Sequence, residues 1–271
     1  MHADAMSRTG KARSTVNRFA GWDWENPETL AVTLDEFSAG VAVCEKLEAM
    51  PEGIPRTRAE FQALGLTGIE FAAFRTDHPN GLGSDLTPLR SAVAVSEPGT
   101  LYRVDGDRCF TQLDVSRPLP FEDGAVDWIY AEHLIEHIPL NVALGWLKEC
   151  HRVLAPGGLI RITTPDLAKY LVGYVQEDGF LTRHRRRLSK LGFGPPMPER
   201  KAFLINQIFA YYGHRWIYDQ AELTYVLTEA GFDEEAVRLC SYRVGLHTEI
   251  ADLDTAFRSD ETIYVEARRR S

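Results

Sequence analysis

The sequence crowds several titratable side chains into short stretches where they could exchange protons or hold a ligand. Glu132-His133-Leu-Ile-Glu136-His137 brings two carboxylates and two imidazoles together. On a helix His133 and His137 would share a face, since residues four apart are neighbours there. Two histidines with no third ligand at a recognised spacing do not define a metal centre, and no metal is expected. Asp166, closing Thr163-Thr-Pro-Asp166, reads either as a base or as the N-cap of a following helix. Tyr211, Tyr212, His214, Arg215 and Trp216 form a polar-aromatic group. It has the mixture of apolar walls and few polar tips found in small-molecule pockets, or it packs a lid. The basic run Arg183–Lys190 reads as a solvated face or as a contact for an anionic group.

The elements that position these residues alternate. Ile69–Ala73, Cys109–Leu113, Val126–Ala131 and Leu159–Thr164 are apolar runs of strand length. Another short strand or turn surrounds Ser84-Asp85-Leu86, after the loop Asp77–Gly83. Leu140–Leu154 is an amphipathic helix closed by Pro156-Gly157-Gly158. A second helix, Gln220–Gly231, precedes two segments for final antiparallel strands, Val237–Val244 and Thr262–Arg268. This rhythm predicts an α/β, Rossmann-like fold: a mostly parallel sheet with helices on both faces and ligands at the strands' carboxyl ends. Upstream, Leu30, Leu34, Phe37, Val41 and Leu47 recur at helical spacing, and Thr57-Arg-Ala-Glu60 has capping-box spacing. Residues 1–65 are therefore expected as an N-terminal arm and helical cap. Residues 66–271 form the Rossmann-like domain, with a lid insertion at about 167–218.

Composition narrows the function classes. Thirty basic against thirty-nine acidic residues give a formal charge of −9, which argues against nucleic acid or an anionic membrane as a general partner. The four cysteines, Cys44, Cys109, Cys150 and Cys240, lack metal-site spacing. With no apolar leader or membrane-length run, the expected location is cytoplasmic.

Several stretches together resemble class I S-adenosylmethionine (SAM)-dependent methyltransferases, in particular a bacterial subgroup. They are Leu113–Phe121, Asp127–His137, Leu147–Gly158 and Leu159–Asp166, followed by Gly213–Asp219 and Leu227–Phe232. The matches extend over roughly residues 66–268. The resemblance implies SAM as cofactor, with Asp85 on the ribose and Asp114 on the adenine. It also implies a glycine-rich turn after the first core strand, where this chain has Ala72-Ala73-Phe74. Ala72 and Phe74 would then border the methionine end of SAM, provided that the Phe74 ring swings away. Gly81 or Gly83 could stand in for the missing glycines. In the family the Glu132–His137 stretch lies beside the active cleft, so His133 or Asp166 is expected as the base and Glu132 as a substrate contact.

The resulting expectation is a methyltransferase acting on a small molecule, in the setting of specialised metabolism. A SAM-independent enzyme on the same fold, catalysing cyclisation, substitution or elimination, is the second reading. A pseudoenzyme subunit is the third, and homo- or hetero-oligomerisation is open in all of them.

Overall fold

The computed structural model describes residues 42–74, 76–191, 198–210 and 212–270. The helix expected from Pro27 through Val41 lies outside these residues, as does Tyr211. Leu47, assigned to that helix from its spacing, stands instead in strand β1 (Leu47–Ala49). The remaining strands are β2 (Gly68–Phe71), β3 (Gly81–Asp85), β4 (Leu101–Val104), β5 (Arg108–Gln112), β6 (Val126–Glu132), β7 (Leu154–Pro165), β8 (Val237–Cys240) and β9 (Thr262–Arg268). Helix α1 (Arg58–Ala63) is started by the capping box that the sequence announced, with Thr57 and Glu60 capping each other's backbone.

Among the described residues the strands form one sheet in the order β1-β4-β5-β3-β2-β6-β7-β9-β8. The five strands β5, β3, β2, β6 and β7 run parallel. β9 is antiparallel to β7, and β8 to β9. From β2 the chain steps outward to β3 and β5, then returns to the other side of β2 as β6 and β7. That reversal is the switch point of a doubly wound sheet, where a crevice opens at the strands' carboxyl ends. Strand β4 has no counterpart among the expected elements; it forms a hairpin with β5 at the edge.

The two faces of the sheet are covered differently. Helix α2 (Leu140–Val153) buries Ala143, Trp146, Leu147, Cys150 and Val153 at helical spacing, and α6 (Gln220–Glu229) buries Leu223, Val226 and Leu227. They pack on Ile69, Phe71, Ile129, Ile160 and Val265, with Phe71 edge-on to Trp146 at 5.4 Å. Each such side chain fully removed from water stabilises by roughly 1.5–3 kcal/mol. On the other face the cover is the β8–β9 connection, with the short helix α7 (Thr248–Ala251), whose Ile250 and the following Leu253 meet Trp128 and Tyr130.

The connection 72–80 between β2 and β3 contains no helix among its described residues. Its backbone lies directly on β3, so a Cβ at Gly83 would meet the Ala73 carbonyl at 2.9 Å. At Gly81 a Cβ would meet Thr76 Oγ1 at 2.7 Å. Both glycines, read in the sequence as loop residues, are thus strand residues that admit the crossover. They do not replace a cofactor turn. The insertion folds as α3 (Leu167–Gln176), α4 (Phe180–Leu191) and α5 (Lys201–Ala210), packed on a small core of Tyr170, Phe180, Leu181, Leu188, Leu204, Ile208 and Ile217. No helix among the described residues is long and apolar enough to cross a membrane.

Candidate functional site

Two groups of polar residues sit at the carboxyl ends of the parallel strands. One borders the switch point at β2, β3 and β5. The other lies under the α3–α5 insertion, at the ends of β6 and β7 and the start of β9.

At the switch point β2 is followed by Ala72, whose φ of +55° lies in the left-handed region. That geometry costs an alanine on the order of 1 kcal/mol and supplies the turn that a glycine would give more easily. The Phe74 ring turns toward the sheet edge and packs with Leu47, Leu89, Tyr102, Val104 and Phe110, away from the strand ends. Asp85 ends β3 and accepts from the Thr87 amide at 2.8 Å; burial pushes its carboxyl up to about 6. Asp114 follows β5 and accepts from the Ser116 amide and hydroxyl, at 2.9 and 2.6 Å, which lowers it. Two carboxylates on adjacent strands, a left-handed turn and an aromatic ring moved aside fit the nucleoside and turn positions that SAM requires. The connection's lack of a helix is the departure, since no helix N-terminus follows the turn.

Under the insertion, β6 runs into a buried knot. His133 is 8% exposed and holds φ +51°, a strain that persists where surroundings over-determine it. Its Nε2 lies 2.9 Å from Thr262 Oγ1, which gives its own proton to the Arg258 carbonyl, so Nε2 must donate. Its Nδ1 is 2.9 Å from Glu136 Oε1, too oblique for a directed hydrogen bond. Glu136 is fully buried and accepts from Thr164 Oγ1 at 3.0 Å through its other oxygen. Burial by itself would raise this carboxyl, but the facing imidazoles of His133, His137 and His214 reverse that and hold it well below the usual range. His137 is edge-on to His214 at 4.9 Å, and burial pushes it down to about 4. Burial lowers His214 as well, and its Nδ1 lies 2.7 Å from the Ile208 carbonyl.

Beside the knot lies a cavity of about 50 Å³, walled by Tyr170, His184, Gln207, Tyr212, His214, Arg258 and Glu261 among others. A relay crosses its wall. Tyr170 donates to Glu261, so His184 Nε2, 2.9 Å from the phenol oxygen, must donate to it. His184 Nδ1 faces Asp260 at 3.1 Å. Burial would lower His184, but Asp260 and Glu261 outweigh it and raise the imidazole above its ordinary range. Burial and the Glu261 charge push the Tyr170 phenol well up.

The expected site residues therefore divide. His133, Tyr212 and His214 meet around the knot and the cavity. Asp166 accepts from the Ala168 amide at 3.0 Å as the N-cap of α3, the second of its two readings. Glu132 points elsewhere, accepting from the Thr255 amide and hydroxyl at 2.8 and 2.9 Å. Arg215 and Trp216 are exposed, the indole donating to Glu222, so neither walls the cavity as a pocket residue would. Tyr170, His184, Asp260 and Glu261 were not found from the sequence. For His184 a signal existed: Leu181, His184 and Leu188 repeat at helical spacing and form the buried stripe of α4. Its position inside an arginine run concealed it.

The doubly wound sheet with acid-tipped strands at its switch point defines a Rossmann-like, class I type of protein. Comparison agrees: the family model described as "Methyltransferase domain" matches residues 66–162. Over this span the chain is similar to class I SAM-dependent methyltransferases. Among solved structures it is similar to the carbon methyltransferase of CurJ, at 14% identity over 76% of this chain and TM-score 0.41. This chain spans 49% of that one. A SAM-dependent methyltransferase from Mesorhizobium loti matches at 16% identity, over 78% of this chain and 98% of that one, TM-score 0.42. One from Archaeoglobus fulgidus matches at 11% identity, over 78% and 92%, TM-score 0.43. No curated protein matches in sequence.

Proposed function

We propose that the chain is a SAM-dependent methyltransferase for a small molecule, with its acceptor held in the cavity under α3–α5. One observation carries the reading: the carboxyl ends of a single parallel sheet carry both the acid-tipped switch point and, past β7, a partly enclosed cavity roofed by the insertion. Asp85 and Asp114 would hold SAM by its ribose and adenine, and the cofactor supplies an electrophilic methyl group. The chain's own residues then have to position the acceptor and take up one proton. Glu261 is the cavity carboxylate able to receive it, with Tyr170, His184 and Asp260 behind it. His133 and Asp166 act as positioning groups for the strand ends and for α3. A 50 Å³ space suits a small acceptor group.

Calorimetric titration with SAM and S-adenosylhomocysteine tests this. Micromolar binding is expected, weakened at least tenfold by Asp85→Asn. Asp85 binds ribose as a carboxylate, and its carboxyl titrates near 6. Affinity should therefore fall as pH drops through 6. Absence of heat at millimolar ligand would contradict the reading. It would favour a SAM-independent enzyme on this fold, which the helix-free connection 72–80 already supports.

A further inference from the structure

We infer that Glu136, His137 and His214 form a binding site for one divalent transition-metal cation, zinc by the character of its ligands. Ligand atoms of these three residues, one from each, lie within 4.8 Å of one another. In a tetrahedral site with zinc–ligand bonds of about 2.1 Å the ligand atoms stand ~3.4 Å apart, so closure draws the three together by up to ~1.4 Å, within reach of side-chain rotation. His137 Nε2 and Glu136 Oε1 already stand 4.0 Å apart.

Two further observations point to a ligand. Glu136 Oε1 is fully buried and its nearest donor, His133 Nδ1 at 2.9 Å, meets it at a poor angle, so the oxygen lacks a well-directed hydrogen bond, which is costly for a buried carboxylate. His214 Nδ1, 2.7 Å from the Ile208 carbonyl, must donate to it, which leaves the Nε2 lone pair as the free one. That is the outer-shell arrangement that orients metal-bound imidazoles. His133, with its Nδ1 against the same Glu136 oxygen, occupies the carboxylate's other side.

The arrangement matches open zinc sites, in which two imidazoles and one carboxylate leave a fourth position for water or substrate. His214 is the residue that the trio shares with the cavity wall. The fourth position would thus serve an oxygen ligand in that cavity, such as a water or a hydroxyl or carboxylate of a small molecule. The sequence concealed this site because the third ligand comes from the far end of the insertion.

The test is titration of chelator-treated, SAM-free protein with Co2+, read by visible absorption, followed by displacement with Zn2+. The inference predicts d–d bands that saturate at one equivalent and vanish on adding one equivalent of Zn2+. Loss of outer-shell partners alone costs roughly 10–100-fold, so Glu136→Gln and His214→Ala should each weaken binding by more than ~100-fold. His184→Gln, in the cavity but outside the trio, should keep the wild-type affinity. If His214→Ala fails to fold, Glu136→Gln, which keeps the side chain's shape, decides. Absence of d–d bands, thiolate charge-transfer bands, or a site that survives Glu136→Gln would overturn the inference. None of these readouts depends on SAM binding, so the two readings fail separately.

Discussion

Two of the charged clusters buried among the described residues are built on opposite terms. On the β8–β9 side of the sheet, Tyr130, Arg161 and Glu266 stand in register across β6, β7 and β9. Arg161 is wholly buried, yet every direction of its guanidinium is answered: Asp254 at 2.5 and 2.9 Å, Glu266 at 2.7 Å, and the carbonyls of Ser241 and Val244. Asp254 also takes the Arg243 amide, and Glu266 the Leu246 amide. The cluster thereby fastens the β8–β9 connection onto a face that carries no long helix. Around Glu136 the charges are as deeply buried, but one carboxylate oxygen has only an oblique contact with His133 Nδ1, and burial pushes two imidazoles down. Burial of charge alone does not mark a site. Unanswered polar atoms beside a cavity do.

Substitutions should separate the clusters, beginning with the largest effect. Arg161→Met leaves Asp254 and Glu266 buried without their cation, and removing one member of a buried pair costs roughly 3–5 kcal/mol. Urea unfolding measures this; a loss below about 1 kcal/mol would erase the contrast. Thr164→Val takes the donor from Glu136 Oε2 and should cost about 1–2 kcal/mol, within the range for an unsatisfied buried acceptor.

A smaller effect concerns pH. His137 titrates near 4 in the folded chain, below its ordinary 6.5. Between those values the unfolded state binds the extra proton, so this residue makes the fold lose stability as pH falls from 6.5 towards 4. His184, raised in the fold, acts in the opposite sense, so the comparison must be with a variant. His137→Gln should flatten the slope relative to wild type in chemical denaturation at several pH values. An identical slope would show that His137 is not held neutral.

Legibility followed the range of the interactions. Strands β2, β5, β6, β7 and β9 and helices α2 and α6 were readable because each carries a local signal, an apolar run or a helical stripe with end marks. Leu47 was misread because a five-residue apolar recurrence does not exclude a short edge strand, and only pairing with Val104 decides it. Gly81 and Gly83 looked like loop residues; their lack of a side chain in fact admits a neighbouring backbone and Trp128. In the site, His133 was visible as a histidine past a strand end and His214 as a member of the polar-aromatic group in the insertion. Glu132 and Arg215 were misplaced because strand alternation and turn geometry aim their side chains elsewhere. Glu261 and Asp260 had no sequence signal at all. They join the cavity only because β9 is antiparallel, which brings its first residues to the carboxyl ends of the other strands.

The smallest predicted change is the most direct test of the contrast. Gln at position 136 keeps the side chain's shape and the bond from Thr164, and removes a buried charge that the fold does not fully answer. Urea unfolding of Glu136→Gln, measured beside Arg161→Met, should show no loss of stability or a small gain. A loss as large as that of Arg161→Met would mean that both clusters hold the fold together, and that the Glu136 knot is scaffold rather than site.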